Sequence, residues 1–222
     1  MCGRFVLFTD GQVLTEQFDA PLPTDLIPRF NIAPTQNIPV VRTSDDGERE
    51  IAFLRWGLIP SWAKDPAVGN RLINARSETA WDKPSFRAVF KRHRCLIPAN
   101  GFYEWQKKER TKQPFFIKMR DERLFAFAGM WDRWRSAAGD AVETCAILTT
   151  AANGVLAPIH DRMPVILPAS VYEHWLNPEI TDPGVLVPLL SPFPDDEMVA
   201  YPVSSRVNSP SHDDKDCTAP LQ

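Results

Sequence analysis

The sequence predicts a single α+β domain built on a predominantly antiparallel, barrel-like β-sheet with peripheral helices. Three observations lead there. Short apolar, strand-like runs recur along the chain, separated by polar turn-forming segments. The 21 prolines of the 222 residues are scattered rather than clustered, which favours many short elements over long helices. Strands do not alternate regularly with helices, so a doubly wound parallel sheet is not expected.

In chain order, residues 3–8 (GRFVLF) read as a first strand. Residues 11–19 form a short amphipathic helix, with Val13, Leu14, Gln17 and Phe18 at helical spacing. A proline-punctuated loop follows over 21–37. PVVR (39–42) and IAFLRW (51–56) flank a turn at Asp46-Gly47 and predict a hairpin. WGLIPSWAKDP (56–66) reads as loop, and two short helices are expected near 76–81 and 85–92. Five strand-like runs come next: CLIPA, GFYEWQ, PFFIKM, LFAFAGMWD and VETCAILTT. PASVYEHWL (168–176) predicts a last helix. The domain is drawn as residues 1–205, and the polar segment 206–222 is expected to be a flexible, loosely held tail.

The length suits one large domain with a substantial core. Apolar runs fall far short of the ~18 residues of a membrane span, and the N-terminus has no signal-peptide pattern. The cytosol is therefore the default compartment. The four cysteines form no CxxC pair and have no histidine at ligand spacing, which argues against a zinc site or a disulfide framework. Cys95 and Cys145 sit in apolar runs and read as reduced core residues; Cys217 looks incidental. Net charge is only −3, yet residues 71–120 hold 13 Lys/Arg against 4 Asp/Glu, with 12 against 24 elsewhere. Such segregation suits a phosphate-binding face, although a merely solvated basic face would look the same.

Cys2 carries the most specific chemistry. Removal of Met1 would expose an α-amine and a thiol on adjacent carbons. An α-amine has a pKa of about 7.7–8.0, so an appreciable fraction is a neutral nucleophile near pH 7. It can attack an aldehyde to give an imine, which the neighbouring thiol closes into a thiazolidine. Position alone leaves Cys2 as an ordinary second residue. Glu104, a charge inside the aromatic run GFYEW, would suit proton transfer if it faces inward and would be an ordinary strand residue if it faces out. His160 in IHDRMP lies in a tight loop able to line a cleft, or to hold one structurally. Asn74 and Arg76 in INARSE share a face if that segment is extended, where an amide could orient a nucleophile and a guanidinium could fork onto phosphate; a helix entry is the plainer alternative.

Six segments in order, MCGRF (1–5), RFNIAPTQ (29–36), WGLIPSWAKD (56–65), INARSETA (73–80), CLIPANGFYEW (95–105) and HDRMPVIL (160–167), make the chain resemble the SRAP (SOS-response-associated peptidase) family over roughly residues 1–205. The resemblance implies a bacterial abasic-site processing protein. Mature Cys2 would cross-link, as a thiazolidine, to the ring-opened sugar of an abasic site in single-stranded DNA and protect the lesion. Glu104 would act as general acid/base, His160 would assist proton transfer, and Asn74 would hold the cysteine and the sugar. Arg76, with Arg4 and Arg162, would bind flanking phosphates, and Thr149 would line the pocket. The family implies no metal and no organic cofactor, a monomer, autoproteolytic release of Met1 as a second activity, and a weak lyase activity through β-elimination. The tail carries no sliding-clamp motif.

Two other readings compete. Glutamine amidotransferases with an N-terminal nucleophile also mature to a terminal cysteine after MCG, but no glutamine-binding NGEIYN-like segment is present. A non-catalytic single-strand-binding module could use the basic segment and its aromatics for stacking.

Overall fold

In the computed structural model, which describes residues 2–22, 24–109 and 111–221, the first strand is β1 (Phe5–Leu7), followed by helix α1 (Gly11–Phe18). The Asp10 carboxylate caps this helix by accepting the Gln12 amide at 2.8 Å, and Leu14 and Phe18 form its buried face. The helix stops at Asp19, whose φ of 47° is left-handed and turns the chain out. Next come β2 (Arg29–Ile32) and the expected hairpin, β3 (Asn37–Thr43) and β4 (Arg49–Trp56), in register from Asn37↔Arg55 to Thr43↔Arg49. The segment containing Asn74 is both things the sequence left open: a short strand, β5 (Asn74–Arg76), that runs directly into α2 (Ser77–Ala80). Helix α3 (Arg87–Arg92) precedes the five predicted strands, β6 (Arg94–Ala99), β7 (Gly101–Lys107), β8 (Lys112–Met119), β9 (Phe125–Arg135) and β10 (Ala141–Ala151). The remainder is β11 (Arg162–Pro164), β12 (Ile166–Leu167), α4 (Tyr172–Leu176), α5 (Pro183–Leu186) and β13 (Met198–Pro202). The last predicted helix is a 3-10 turn at Ala169–Val171 leading into α4.

The strands make two layers of one α+β domain. Pairings β10–β4–β3–β6–β9 and back to β10 close a five-stranded barrel, while β13-β8-β7-β1-β2 form a second, antiparallel sheet. Most pairings are antiparallel; β10 runs parallel to both β4 and β5. The inner faces meet through Phe5, whose ring lies edge-on to Trp56 at 5.3 Å and to Phe127 at 5.9 Å, with Phe102 against the same Phe127. Gly129 is required inside the barrel, because a Cβ there would lie 2.8 Å from Cys95 Sγ. Cys95 and Cys145 are fully buried core thiols, as the apolar runs predict. Buried Arg94 ties α3, β6 and α4 together by donating to the carbonyls of Phe90, Lys91, Trp175 and Asn177. Burial with carbonyls rather than a carboxylate lowers it to about 10.

The C-terminal segment corrects the sequence expectation of a loose tail. Val203, Val207 and Cys217 pack onto Val6, Tyr103 and Phe116, on the outer face of the second sheet. Asn31 of β2 donates to the carbonyls of Val207, Ser209 and His212, and the Asp213 carboxylate accepts the backbone amide of Asn31 at 2.8 Å and pairs with Arg29. The segment is held because its carbonyls and the Asp213 carboxylate are matched to Asn31 and Arg29 of β2, while side chains such as Ser205, Arg206, Ser211 and Lys215 remain exposed. Cys217, which looked incidental, is part of the seal.

Candidate active site

Cys2 lies just ahead of β1, whose pairing with β7 continues one residue back through a 3.0 Å bond from the Tyr103 amide to the Arg4 carbonyl. This places Cys2 at the seam between the second sheet and the barrel, with no exposed surface. Its thiol points toward the Arg4 carbonyl at 3.9 Å. Burial pushes the thiol well above its ordinary range, and the charge of Glu104 pushes it further. Thiolate chemistry is thereby suppressed at neutral pH.

Glu104 sits mid-strand in β7, opposite Phe115. Strand alternation puts it on the face of Phe102, toward the barrel, and its exposure is 2%. The inward orientation left open by the sequence is the one adopted. On the other side, β5 lies beside β10 with Asn74 in register with Ile147, and the Asn74 amide donates to the Cys2 carbonyl at 2.7 Å. Asn74 Oδ1 is buried and takes no hydrogen bond from a described residue. Two segments distant in sequence thus converge on the backbone and thiol of Cys2.

His160 follows a run of turns over 154–159, begun by Asn153, whose side chain accepts the Leu156 amide at 3.1 Å. Gln106 of β7 donates to the Pro158 carbonyl at 2.9 Å and ties these turns to the strand bearing Glu104. His160 Nδ1 accepts the Arg162 backbone amide at 3.0 Å and also lies 2.9 Å from an Asp161 carboxylate oxygen. The two contacts require opposite tautomers. The backbone amide cannot rotate away, whereas the Asp161 side chain is 88% exposed, so the ring carries its proton on Nε2.

The phosphate-binding candidates separate into three situations. Arg76 is exposed at the start of α2. Arg162 is held inside the protein: it forks onto the Glu78 carboxylate at 2.6 and 2.9 Å and donates to the Thr149 carbonyl at 2.6 Å. Arg4 points to the C-terminal segment, donating to Asn31 Oδ1 and the carbonyls of Val207 and Asn208. Thr149 is fully buried, with its hydroxyl 3.4 Å from the Ala75 carbonyl. Sequence reasoning missed Glu78, Gln106 and Asn31. For Glu78 a signal existed, since it follows Asn74 by four residues and Arg76 by two. Among the described residues no group of three or more His, Cys, Asp or Glu is arranged to hold a metal, and no helix is long and apolar enough to cross a membrane. The expected removal of Met1 concerns a residue outside the described ones.

A family model described as SOS response associated peptidase (SRAP) matches residues 1–210. The chain belongs to this family. Among its relatives, the abasic site processing protein YoqW of Bacillus subtilis (strain 168) is 48% identical over 216 residues, covering 96% of both chains. The abasic site processing protein HMCES of Gallus gallus is 32% identical over 226 residues, covering 88% of this chain and 66% of the relative. A crystal structure of a protein from Bacteroides thetaiotaomicron superposes over the full length of both chains with a TM-score of 0.91 at 28% identity. The barrel-and-sheet arrangement described above is therefore shared with that protein.

Proposed function

We propose that this protein processes abasic sites in single-stranded DNA by cross-linking mature Cys2 to the ring-opened sugar. The observation that carries the reading is the buried second residue of the chain, its carbonyl bonded to Asn74 at 2.7 Å and its thiol beside a buried carboxylate, Glu104. The names of the relatives, abasic site processing proteins, support the same substrate.

The geometry supports the following chemistry. Loss of Met1 by hydrolysis frees the Cys2 amine, which adds to the C1′ aldehyde of the open sugar. The carbinolamine loses water to give an imine. The thiol then adds its sulfur to the imine carbon while its proton passes to nitrogen, closing a thiazolidine. Because burial and the nearby carboxylate keep the thiol protonated, the amine is the first nucleophile and sulfur the second. Glu104 delivers and removes the protons of sugar opening and water loss. His160, with its proton on Nε2, assists proton transfer. Asn74 Oδ1 accepts from the freed amine or a sugar hydroxyl, and exposed Arg76 binds a flanking phosphate. The same groups would serve hydrolytic release of Met1, and β-elimination from the imine would give a minor lyase activity.

Intact mass spectrometry of the protein with an oligonucleotide bearing one abasic site tests the reading. The expected product is a heat- and SDS-stable adduct at the mass sum less one water, formed only when Met1 is absent, and none with intact DNA. Its absence from protein lacking Met1 overturns the proposal. Glu104→Gln is expected to slow adduct formation more than it weakens DNA affinity, and an unchanged rate removes Glu104 from the catalytic set.

A further inference from the structure

We propose that Gln106 is a positioning residue of this site: through its bond to the Pro158 carbonyl it sets the place of His160 relative to Glu104. The inference rests on the cross-linking function proposed above and adds a residue to it.

Two short steps of sequence and one hydrogen bond connect the two acid/base groups. Glu104 and Gln106 are two residues apart in β7 and therefore lie on the same face of the strand. Glu104 is buried, whereas Gln106 is half-buried, where the strand emerges toward exposed Lys107. From there the Gln106 side-chain amide donates to the Pro158 carbonyl at 2.9 Å, across 52 positions of sequence. A carbonyl can only accept, so the nitrogen end of the Gln106 amide is the one that faces it. Pro158 precedes His160 by two residues.

Ladder hydrogen bonding stops short of His160. Strands β10 and β11 pair as far as Ala151↔Arg162, and one further bond joins the Ala152 amide to the Asp161 carbonyl. His160 lies beyond both, with its amide bonded to the Leu156 carbonyl at 2.9 Å. Leu156 is fully buried and its amide donates to the Asn153 side chain, which in turn donates to the Phe193 carbonyl at 2.8 Å. That end of the run is thus fixed to the segment before β13, not to β7. Ala157 and Pro158 are exposed, and Gln106 ties them to the strand bearing Glu104. Without this bond the turns stay anchored at Asn153, and the bond of the His160 ring to the Arg162 amide, being local, is retained. What relaxes is the placement of the whole run relative to β7. A hydrogen bond of this kind contributes only about 1 kcal/mol to stability, but misplacement of a reacting group by ~1 Å can cost about a hundredfold in rate.

The test separates rate from affinity. With protein lacking Met1, cross-linking to an abasic oligonucleotide is followed at saturating protein to give a limiting rate, and the Kd for the intact oligonucleotide is measured on the same preparations. Gln106→Met keeps the length and neutrality of the side chain but has no donor, Gln106→Ser is too short to reach, and Gln106→Lys restores a donor. The expected result is a limiting rate about tenfold lower in Gln106→Met and Gln106→Ser, with Kd unchanged, and most of the rate regained in Gln106→Lys. A double-mutant cycle identifies the route: in a His160→Ala background, Gln106→Met is expected to lower the rate no further. An unchanged limiting rate in Gln106→Met overturns the inference, and a weaker Kd beside that unchanged rate makes Gln106 a DNA contact instead. A further fall of the same size in the His160→Ala background also overturns it, because Gln106 then acts elsewhere, as does Gln106→Lys as slow as Gln106→Met. Thermal melting identifies a misfolded variant, in which case the other donor-free variant decides. His160→Ala at the wild-type rate removes His160 from the chemistry and this inference with it. Failure of wild type to form any adduct sinks the cross-linking function itself and is thereby distinguished.

Discussion

Asn74 donates its side-chain amide to the Cys2 carbonyl at 2.7 Å, across 72 positions of sequence. The bond fixes the backbone of the residue whose amine and thiol are proposed to do the chemistry, and it comes from an element, β5, that is itself held to the barrel through β10. The N-terminal segment, already tied to β7 through the Tyr103–Arg4 bond, is thus tied to the barrel as well.

Asn74→Ala should reveal that rigidity. The lost hydrogen bond is worth only about 1 kcal/mol of stability, so the protein should remain folded. The limiting cross-linking rate is expected to fall roughly tenfold to a hundredfold, with affinity for intact single-stranded DNA little changed. Single-turnover kinetics on a gel measure both, and an unaltered rate would show that Asn74 does not hold the nucleophile.

Cys2→Ser should separate the two nucleophiles. The amine remains, so an imine with the abasic sugar still forms, but the hydroxyl closes a far less persistent ring. Adducts are expected to survive heating only after borohydride reduction. A stable adduct without reduction would contradict sulfur closure.

Buried thiols predict an alkaline limb in the stability profile. Burial pushes Cys2, Cys95 and Cys145 well above the ordinary thiol range. The unfolded chain loses these protons near pH 8.5 while the folded one keeps them. Their contribution is therefore fully present below about pH 8.5 and declines as pH rises, by roughly 1.4 kcal/mol per pH unit for each thiol. Urea unfolding under reducing conditions between pH 7 and 10 should show this fall, and Cys95→Ala should make it shallower by one thiol's share. Equal slopes would refute the linkage.

Deleting residues 204–222 should cost stability rather than trim a loose end. It uncovers Tyr103 and Phe116, strips Asn31 of three carbonyl acceptors and leaves the Trp105 indole without Asn208, 2.8 Å away. A loss of about 3 kcal/mol would lower Tm by roughly 6–12 °C for a chain of this size. A deletion variant melting with wild type would show that the outer cluster is not structural.

Much of the fold was legible because strands and hairpins are written in local patterns. The β3–β4 hairpin follows from two apolar runs around Asp46-Gly47, and β6 to β10 from apolar runs cut by polar turns. The parallel pairings of β10 with β4 and β5 were not legible, since they join segments far apart and depend on barrel closure. The packed C-terminal segment was misread for a related reason: the β2 residues that hold it, Asn31 and Arg29, lie far away in sequence.

By itself the sequence determined the chemistry available: an aminothiol at position 2 once Met1 is gone, a carboxylate within an aromatic strand, and motifs in family order. These are covalent identities and short-range periodicities, which one chain segment can carry alone. Only the tertiary structure decided which groups meet. It turned Glu104 inward, brought Asn74 to Cys2, aimed Arg4 at the C-terminal segment and locked Arg162 onto Glu78. The reason is physical: whether a guanidinium binds phosphate or braces the protein depends on the acceptors surrounding it in space, and those come from distant strands that barrel closure assembles.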